Sequence, residues 1–447
     1  MAAVFMGEGY DVGPAPLRML RTMTLSETVA WHDFRIDGAR LLERLDELAE
    51  IGPIDGGGSS RLAFTDADRD GRHLVVGWMR LLGLRVDVDG VGNVVGTWDV
   101  GTGAPVMMGS HIDTVRTGGR YDGNYGVIAG LEVIQRCQET GVMPPRPLAV
   151  AFFSNEEGAR YAPDMMGSLV YVGGLGLEEA RAAVGIDGTT VGDEVDRIGY
   201  RGTLATPGPV PHAFVEVHIE QGPVLEAEGI TIGAVTGVQG ISWTEVTVHG
   251  QSNHAGTTPM RLRHDPAYVA AELAVFLRRL ADGLGGAQVC TMGRIDLHPN
   301  LINVVPARAT CTVDVRNTDE ATLQIAEARV AARCDELAAE EGVSITRRPL
   351  ARFEPVVFQE EVVARVERYA AELGASVRRL PSGAGHDAQM FARVCPTGMI
   401  FVPSVRGISH NPAEYTAPED LILGADLLGR VVLDLATSDL GGQAVAP

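Results

Sequence analysis

The chain has 447 residues, 45% hydrophobic and 21% charged, a balance that belongs to folded globular proteins rather than disordered ones. Such a length favours two domains over one, because single cores stop growing well before it. A formal net charge of −21 without any Lys/Arg run argues against nucleic acid and anionic lipid as partners, and no apolar run is long enough to span a membrane.

The first residues, from Met1 to Met23, lack the basic-then-apolar pattern of a secretory leader, so the expected location is the cytoplasm. Met19 and Met23 are candidate later starts, and the first two dozen residues are given no role in the fold. The five cysteines, Cys137, Cys290, Cys311, Cys334 and Cys395, are odd in number, scattered and without a C-x-x-C pair, which reads as reduced core residues.

In chain order, a helix is expected over 37–51, capped by Asp37, with Leu41, Leu45 and Leu48 on one face and Gly52 past its end. A second starts at Thr65, where Asp68 completes a capping box, and stops at Gly83. Short strands follow at 85–88 and 93–98. Gly90, Gly92 and Gly96 between and within them have the wrong spacing for a dinucleotide loop and open no helix, so they mark a hairpin turn. Apolar runs at 106–108 and 148–153 read as strands buried on both faces, with a helix at 126–138 between them. Strand, helix, strand argues for a mainly parallel sheet whose ligands gather at the strands' C-terminal ends.

From about residue 240 the order changes to strand 243–248, helix 266–281, strands 288–295 and 309–315, helix 320–341 and strand 344–347, the split β-α-β-β-α-β unit of ferredoxin-like folds. Beyond Gln359 long helices and short apolar strands resume. The expected architecture is therefore α/β: a mainly parallel-sheet domain made of residues 27–239 and 351–447, interrupted by an inserted ferredoxin-like α+β domain at 240–350.

Polar residues cluster after the apolar strands. His111 and Asp113 follow the strand at 106–108, and Asp122 sits in the Gly-rich loop eleven residues after His111. His111 offers an imidazole nitrogen to a borderline-soft ion, Asp113 is placed to hold its tautomer, and a carboxylate such as Asp122 can bridge two ions. Each is equally a capping histidine or a turn aspartate when taken alone. Glu156 and Glu157 end the strand at 148–153, where two adjacent carboxylates call for a balancing cation. One can bind an ion while the other, its pKa raised, takes a proton from water. His218 follows a strand at 213–217, and His410 lies in a loop after a strand at 399–402. Four strand ends, each carrying His, Asp or Glu, converge on a two-metal site.

The strings Gly109-Ser110-His111-Ile112-Asp113-Thr114, Gly119-Arg120-Tyr121-Asp122-Gly123, Asn155-Glu156-Glu157-Gly158, His218-Ile219-Glu220-Gln221-Gly222, Asn253-His254-Ala255-Gly256, Asn303-Val304-Val305-Pro306, Asp314-Val315-Arg316 and Ser409-His410-Asn411-Pro412 together resemble the hydantoinase/carbamoylase amidohydrolases. That group includes N-carbamoyl-L-amino-acid hydrolases, β-ureidopropionases and allantoate amidohydrolases, within the clan of aminoacylases and zinc carboxypeptidases. The resemblance runs from about Asp37 to the C-terminus. It implies one divalent ion on His111, Asp122 and His218 and a second on Asp122, Glu157 and His410, zinc foremost, with manganese, cobalt or nickel also suited. It implies Glu156 as the base, His254 as a hydrogen-bonding group in catalysis, and Gln221, His254, Asn303 and Arg316 as substrate contacts, with Arg316 suited to clamp a carboxylate. His386 is given a role at the site's edge. His218 separates this branch from the peptidase branches, which resemble it but place a carboxylate there. The implied reaction is hydrolysis of the carbamoyl C–N bond of a small ureido acid by a homodimer in which the inserted domain serves as lid and dimer contact. Allantoate hydrolysis, or an aminoacylase or peptidase activity of the same clan, is the alternative.

Overall fold

The computed structural model describes residues 33–440. The reading of the first two dozen residues lies outside the described residues.

Nine strands build the larger sheet: β1 (Arg85–Val88), β2 (Val94–Trp98), β3 (Val106–His111), β4 (Leu148–Phe153), β5 (Ala213–Ile219), β6 (Ile232–Val238), and, after an excursion, β13 (Val356–Val357), β14 (Val377–Ser382) and β15 (Thr397–Val402). The order is β1-β2-β4-β3-β5-β15-β6-β13, with β14 also pairing β6. Its centre, β4-β3-β5-β15, is parallel throughout. The flanking β1, β2 and β6 join antiparallel. Every residue of β3, β4, β5 and β15 is buried, as expected of strands covered on both faces, and the near-continuous apolar sequences supply that burial. The helix Asn124–Thr140 covers β3, β4 and β5, and Pro418–Thr437 lies on β5 and β15. The short helix Asp387–Phe391 packs on β3, β5 and β15, its Phe391 stacked on Phe214 at 4.2 Å.

The sequence-expected caps form. Asp37 accepts from the Arg40 amide ahead of the helix Gly38–Ala49, and Thr65 accepts from the Asp68 amide ahead of Asp66–Leu81. The expected hairpin joins β1 to β2. Several strands run longer than the sequence implied, because sheet pairing carries them past their apolar stretch: β3 extends to His111 itself and β5 past His218. All five cysteines are free; four are buried and Cys290 is half-buried.

The excursion comprises β7 (Gly240–His249), β8 (Asn253–His254), β9 (Val289–His298), β10 (Val304–Val305), β11 (Arg308–Asn317) and β12 (Ser344–Phe353). Four of these form a separate antiparallel sheet, β12-β7-β11-β9, while β8 and β10 make a two-residue ribbon. Written by order within the unit, the sheet is 4-1-3-2, which the β-α-β-β-α-β sequence reading requires. Burial alternates along β11, whose inward residues pack with the helices Pro266–Leu284 and Glu320–Glu341 around Val248, Leu273, Val313 and Leu337. This cluster is separate from the main core. No described helix is long and apolar enough to cross a membrane.

One buried ion pair ties the outer helix to the sheet's chemical end. Arg72, fully buried, gives its Nε to Asp68 (2.8 Å), one terminal nitrogen to the Gly92 carbonyl (2.6 Å) and the other to Ser154 Oγ (3.0 Å). Removing one partner of such a pair leaves a charge without water or counter-ion. Asp68→Ala is expected to cost about 3–5 kcal/mol of folding stability in equilibrium denaturation; a loss under about 1 kcal/mol would show that Arg72 is satisfied without Asp68.

Candidate metal centre

The four central strands end side by side, and the side chains that follow each one meet. His111 is the last residue of β3; Glu156 and Glu157 follow β4; His218 is the penultimate residue of β5; His410 lies in the loop after β15. Asp122 comes from the loop between β3 and the helix Asn124–Thr140 and occupies the centre. Its Oδ1 faces His218 Nε2 at 3.2 Å and His111 Nε2 at 3.6 Å, while its Oδ2 faces His410 Nε2 at 3.3 Å. Glu157 lies 3.2 Å from the same His410 nitrogen, and Glu156 Oε2 lies 3.4 Å from His111 Nε2. Two groups of three ligand atoms result, His111–Asp122–His218 and Asp122–Glu157–His410, each with all atoms within 4.8 Å of one another.

The backbone fixes these side chains. His111 Nδ1 meets the Asp113 carbonyl at 2.8 Å and His218 Nδ1 meets the Ile219 carbonyl at 2.8 Å, which turns both Nε2 atoms toward Asp122. Asp113 thus orients His111 as expected, through its main-chain oxygen, while its carboxylate accepts from the Glu156 amide (3.2 Å). Gly123 has φ of +67°, and a Cβ there would lie 2.4 Å from the His111 ring, so this glycine is what lets the loop pass the imidazole. Asn155, Gln221 and His410 all take left-handed conformations, with φ of 54°, 56° and 53°.

Sequence reasoning missed the support behind Asp122. Glu414, buried, accepts from the Tyr121 amide (3.0 Å), the Asp122 amide (3.2 Å) and Ser409 Oγ (3.1 Å), clamping the aspartate loop to the His410 loop. The legible trace was Gly119, where a Cβ would fall 2.0 Å from the Glu414 carboxylate. Gln221 Nε2 donates to Asp122 Oδ2 at 2.9 Å, as does Ser409 Oγ at 3.2 Å.

Electrostatics at the centre are those of acids short of cations. Burial drives Glu156 well above the usual carboxylate range, and Asp387 and Glu157 nearby add to it. Burial, with Asp122 adjacent, pushes Glu157 up to about 8. Asp122 is held well below its ordinary value, because its three imidazole partners outweigh the burial that opposes ionisation. His410 rises to about 9 through its bond to Asp122. Among the described residues, every ion pair of Asp122, Glu156 and Glu157 is to a histidine and none to Lys or Arg. Imidazole nitrogens and carboxylate oxygens around a central carboxylate that faces two ways are a donor set suited to divalent metal. The residues present fit such ions.

A cavity of about 200 Å³ opens on this centre, lined on one side by His111, Asp122, Glu156, Glu157 and His410 and on the other by Trp243 and Arg316 of the four-stranded sheet's β7 and β11. Gln221 and His386 also line it. His386 is buried, its ring edge-on to His218 at 4.6 Å, and burial beside His218 drives its pKa well below the ordinary value, keeping it neutral. Arg316 stands over the Trp243 ring at 5.8 Å. His254 and Asn303 are not brought in. They lie together on the β8–β10 ribbon, where the Ala255 amide meets the Asn303 carbonyl at 2.9 Å, and both are exposed or nearly so and away from the cavity wall.

Residues 107–434 match the model of Peptidase family M20/M25/M40. The chain is 40% identical over 405 residues to an N-carbamoyl-L-amino-acid amidohydrolase of Rhizobium meliloti, covering 90% of this chain and 97% of that one. It is 36% identical over 403 residues to the allantoate amidohydrolase of Escherichia coli, covering 88% and 97%. Among solved structures it superposes on a hydantoinase/carbamoylase-family amidase from Burkholderia multivorans with a TM-score of 0.88 at 42% identity, covering 91% of this chain and all of that one.

Gly123→Ala tests the packing of the loop against His111. A displaced imidazole is expected to weaken metal affinity by roughly tenfold or more, the scale seen when a ligand's supports are removed. Competitive chelator titration of folded variant and wild type reads this, and equal affinities would show that His111 does not depend on the glycine.

Proposed function

The chain belongs to the peptidase family M20/M25/M40, and on that premise we propose that it is a hydrolase cleaving the carbamoyl C–N bond of small N-carbamoyl amino acids. The observation carrying this reading is a buried carboxylate, Asp122, set between two His/carboxylate groups, with Glu156 beside it and Arg316 across a small cavity. Carbamoyl-amino-acid relatives at 40% identity over nearly their full length support the substrate class. Allantoate, the substrate named for another relative, is the second reading, since it is also a ureido acid.

In this proposal His111, Asp122 and His218 hold one divalent ion and Asp122, Glu157 and His410 another, zinc being the first candidate and manganese, cobalt or nickel the alternatives. When bound, the ions supply Lewis-acid polarisation of the scissile carbonyl and acidify water. Glu156 is the group that moves the proton. Set 3.4 Å from His111 Nε2 at the edge of this cluster, it would accept a proton from the attacking water at a carboxylate oxygen and then give it to the departing amino nitrogen as the C–N bond breaks. The products are the free amino acid and carbamate, which decays to ammonia and carbon dioxide. Gln221, Ser409 and Glu414 hold Asp122 still through this. Arg316 already gives its Nε and one terminal nitrogen to Asp314 and another hydrogen to the Gly383 carbonyl; its remaining N–H groups are left for a substrate carboxylate.

Glu156→Gln is expected to keep its metal and lose about 10²–10⁴-fold in kcat for ammonia release from N-carbamoyl amino acids. Metal analysis and a coupled ammonia assay check both halves. Near-normal turnover in the variant would remove Glu156 from the mechanism, and wild-type turnover of peptides or acyl amino acids alone would end the carbamoyl reading.

The residues 240–350 are proposed as a lid and dimerisation unit, so that His254 and Asn303, remote from their own chain's cavity, serve the site of a second copy. Exposed Met260, Leu262, Leu301 and Ile302 flank them in sequence, an apolar surface of the kind that subunit contacts cover. Mixing inactive Glu156→Gln and inactive His254→Ala chains under subunit exchange should restore up to about a quarter of wild-type activity, as random pairing in a twofold dimer allows. A monomeric mass in solution, or no restoration, rejects the proposal.

A further inference from the structure

The substrate cavity has a charged residue that neither the metal centre nor the carboxylate clamp employs. Asp164 lines it together with Arg316, Trp243 and Gly385. Its loop is bolted to the catalytic strand end: Asn155 Nδ2 donates to the carbonyls of Tyr161 (2.9 Å) and Pro163 (3.1 Å), and the Met165 amide donates to the Glu156 carbonyl (2.7 Å). Gly158, at φ of +61°, would place a Cβ 2.8 Å from the Asp164 Cα, so the two segments touch. The backbone that carries Asp164 is therefore fixed relative to that of Glu156.

The carboxylate is largely withdrawn from water, and among the described residues its hydrogen bonding comes from its own backbone amide, without a side-chain donor or a salt bridge. Burial raises its pKa, and the one side-chain charge acting on it is that of Arg316, not any histidine or acid of the metal centre. It lines the cavity together with Arg316, the proposed carboxylate clamp. Arg316 is already bonded at 2.8 Å to Asp314, which is not among the residues lining this cavity, and Asp164 has no salt bridge among the described residues. A substrate bringing only a carboxylate and an apolar side chain leaves the half-buried Asp164 with no donor beyond its own amide, and one bringing a second anion meets repulsion.

We infer that Asp164 is a specificity-determining residue, selecting ureido acids whose side chain carries N–H donors or a positive charge close to the α-carbon. The inference rests on the ureido-acid reading above and narrows it. An amide, an amine or a second ureido group meets the requirement; an alkyl chain of the same size or a carboxylate does not.

The test uses the metal-loaded enzyme and near-isosteric substrates: N-carbamoyl-asparagine, N-carbamoyl-aspartate and N-carbamoyl-leucine, with N-carbamoyl-2,4-diaminobutyrate as the cation. Wild type is expected to favour the asparagine and diaminobutyrate compounds over the aspartate compound by roughly tenfold or more in kcat/KM, the scale of one charge-assisted hydrogen bond. Leucine should fall between. Asp164→Asn keeps the size and removes the charge, and should shrink the diaminobutyrate-to-aspartate ratio to within about threefold. Equal wild-type rates on asparagine and aspartate compounds, or an unchanged ratio in the variant, would overturn the inference. Should no ureido acid, N-carbamoylglycine included, release ammonia, the functional reading fails separately. Calorimetric binding of free asparagine, 2,4-diaminobutyrate and aspartate to both proteins then decides the role of Asp164, since it needs no turnover, and indifference of binding to side-chain charge would reject it.

Discussion

Asp122 is the constraint on which the rest of the centre depends. A buried carboxylate that faces His111 and His218 through one oxygen and His410 through the other can do so only if three strand ends, those of β3, β5 and β15, deliver their residues to one point, to which β4 adds Glu156 and Glu157. The parallel arrangement β4-β3-β5-β15 does this, because parallel neighbours put all their C-terminal ends on one edge of the sheet. An antiparallel sheet of the same residues would send every second loop to the opposite edge. The antiparallel strands β1, β2 and β6 accordingly stand outside this quartet and contribute no ligand.

The same constraint explains the acidity of the region. Glu156, Glu157 and Asp113 surround the histidines, and Glu216 and Asp387 are buried behind them with raised pKa values. In a chain with a net charge of −21 such a cluster is unfavourable by itself. Divalent cations turn the repulsion into a binding site, so folding of this edge and metal uptake are linked. Across the cavity the balance is different: Arg316 is paired with Asp314, and Asp164 lines the same cavity without a salt bridge among the described residues.

The sequence made the central sheet, the second sheet and most of the candidate site residues legible for a definite reason. Strands buried on both faces are written as unbroken apolar runs, and charge or imidazole at their ends stands out against them. Glu156 and Glu157 follow β4 closely, and His111 and His218 are the last and the penultimate residue of β3 and β5, whereas Asp122 and His410 lie farther out in loops. Glu414 fits no such pattern: it follows no strand closely and acts through backbone amides of a loop nearly three hundred positions earlier, a pairing that no local spacing encodes. Which atom of Asp113 orients His111 was not legible either, since a two-residue separation does not tell whether the carbonyl or the side chain will face the imidazole. For His254 and Asn303 the motif strings were legible, but their placement depends on where the β8–β10 ribbon sits, which strand patterns do not specify.

Three of the loops that carry the chemistry pass through left-handed backbone conformations, at Asn155, Gln221 and His410, where glycine would be the easier residue. Conformations of this kind cost of order 1 kcal/mol or more each for a residue with a Cβ. They persist because each side chain is employed: Asn155 spans its own loop to Tyr161 and Pro163, Gln221 donates to Asp122, and His410 meets Asp122 and Glu157. The strain is offset by the rigidity of what lies beneath. Arg72 holds Ser154, one residue before Asn155, and the fully buried β4 holds Ser154 in turn, so the turn that presents Glu156 and Glu157 is anchored from the core outward. In the proposed reaction Glu156 must keep its position to a fraction of an ångström while the water and leaving nitrogen change charge around it. A buried arginine, a left-handed asparagine and a parallel strand, acting in series, anchor the turn that carries it.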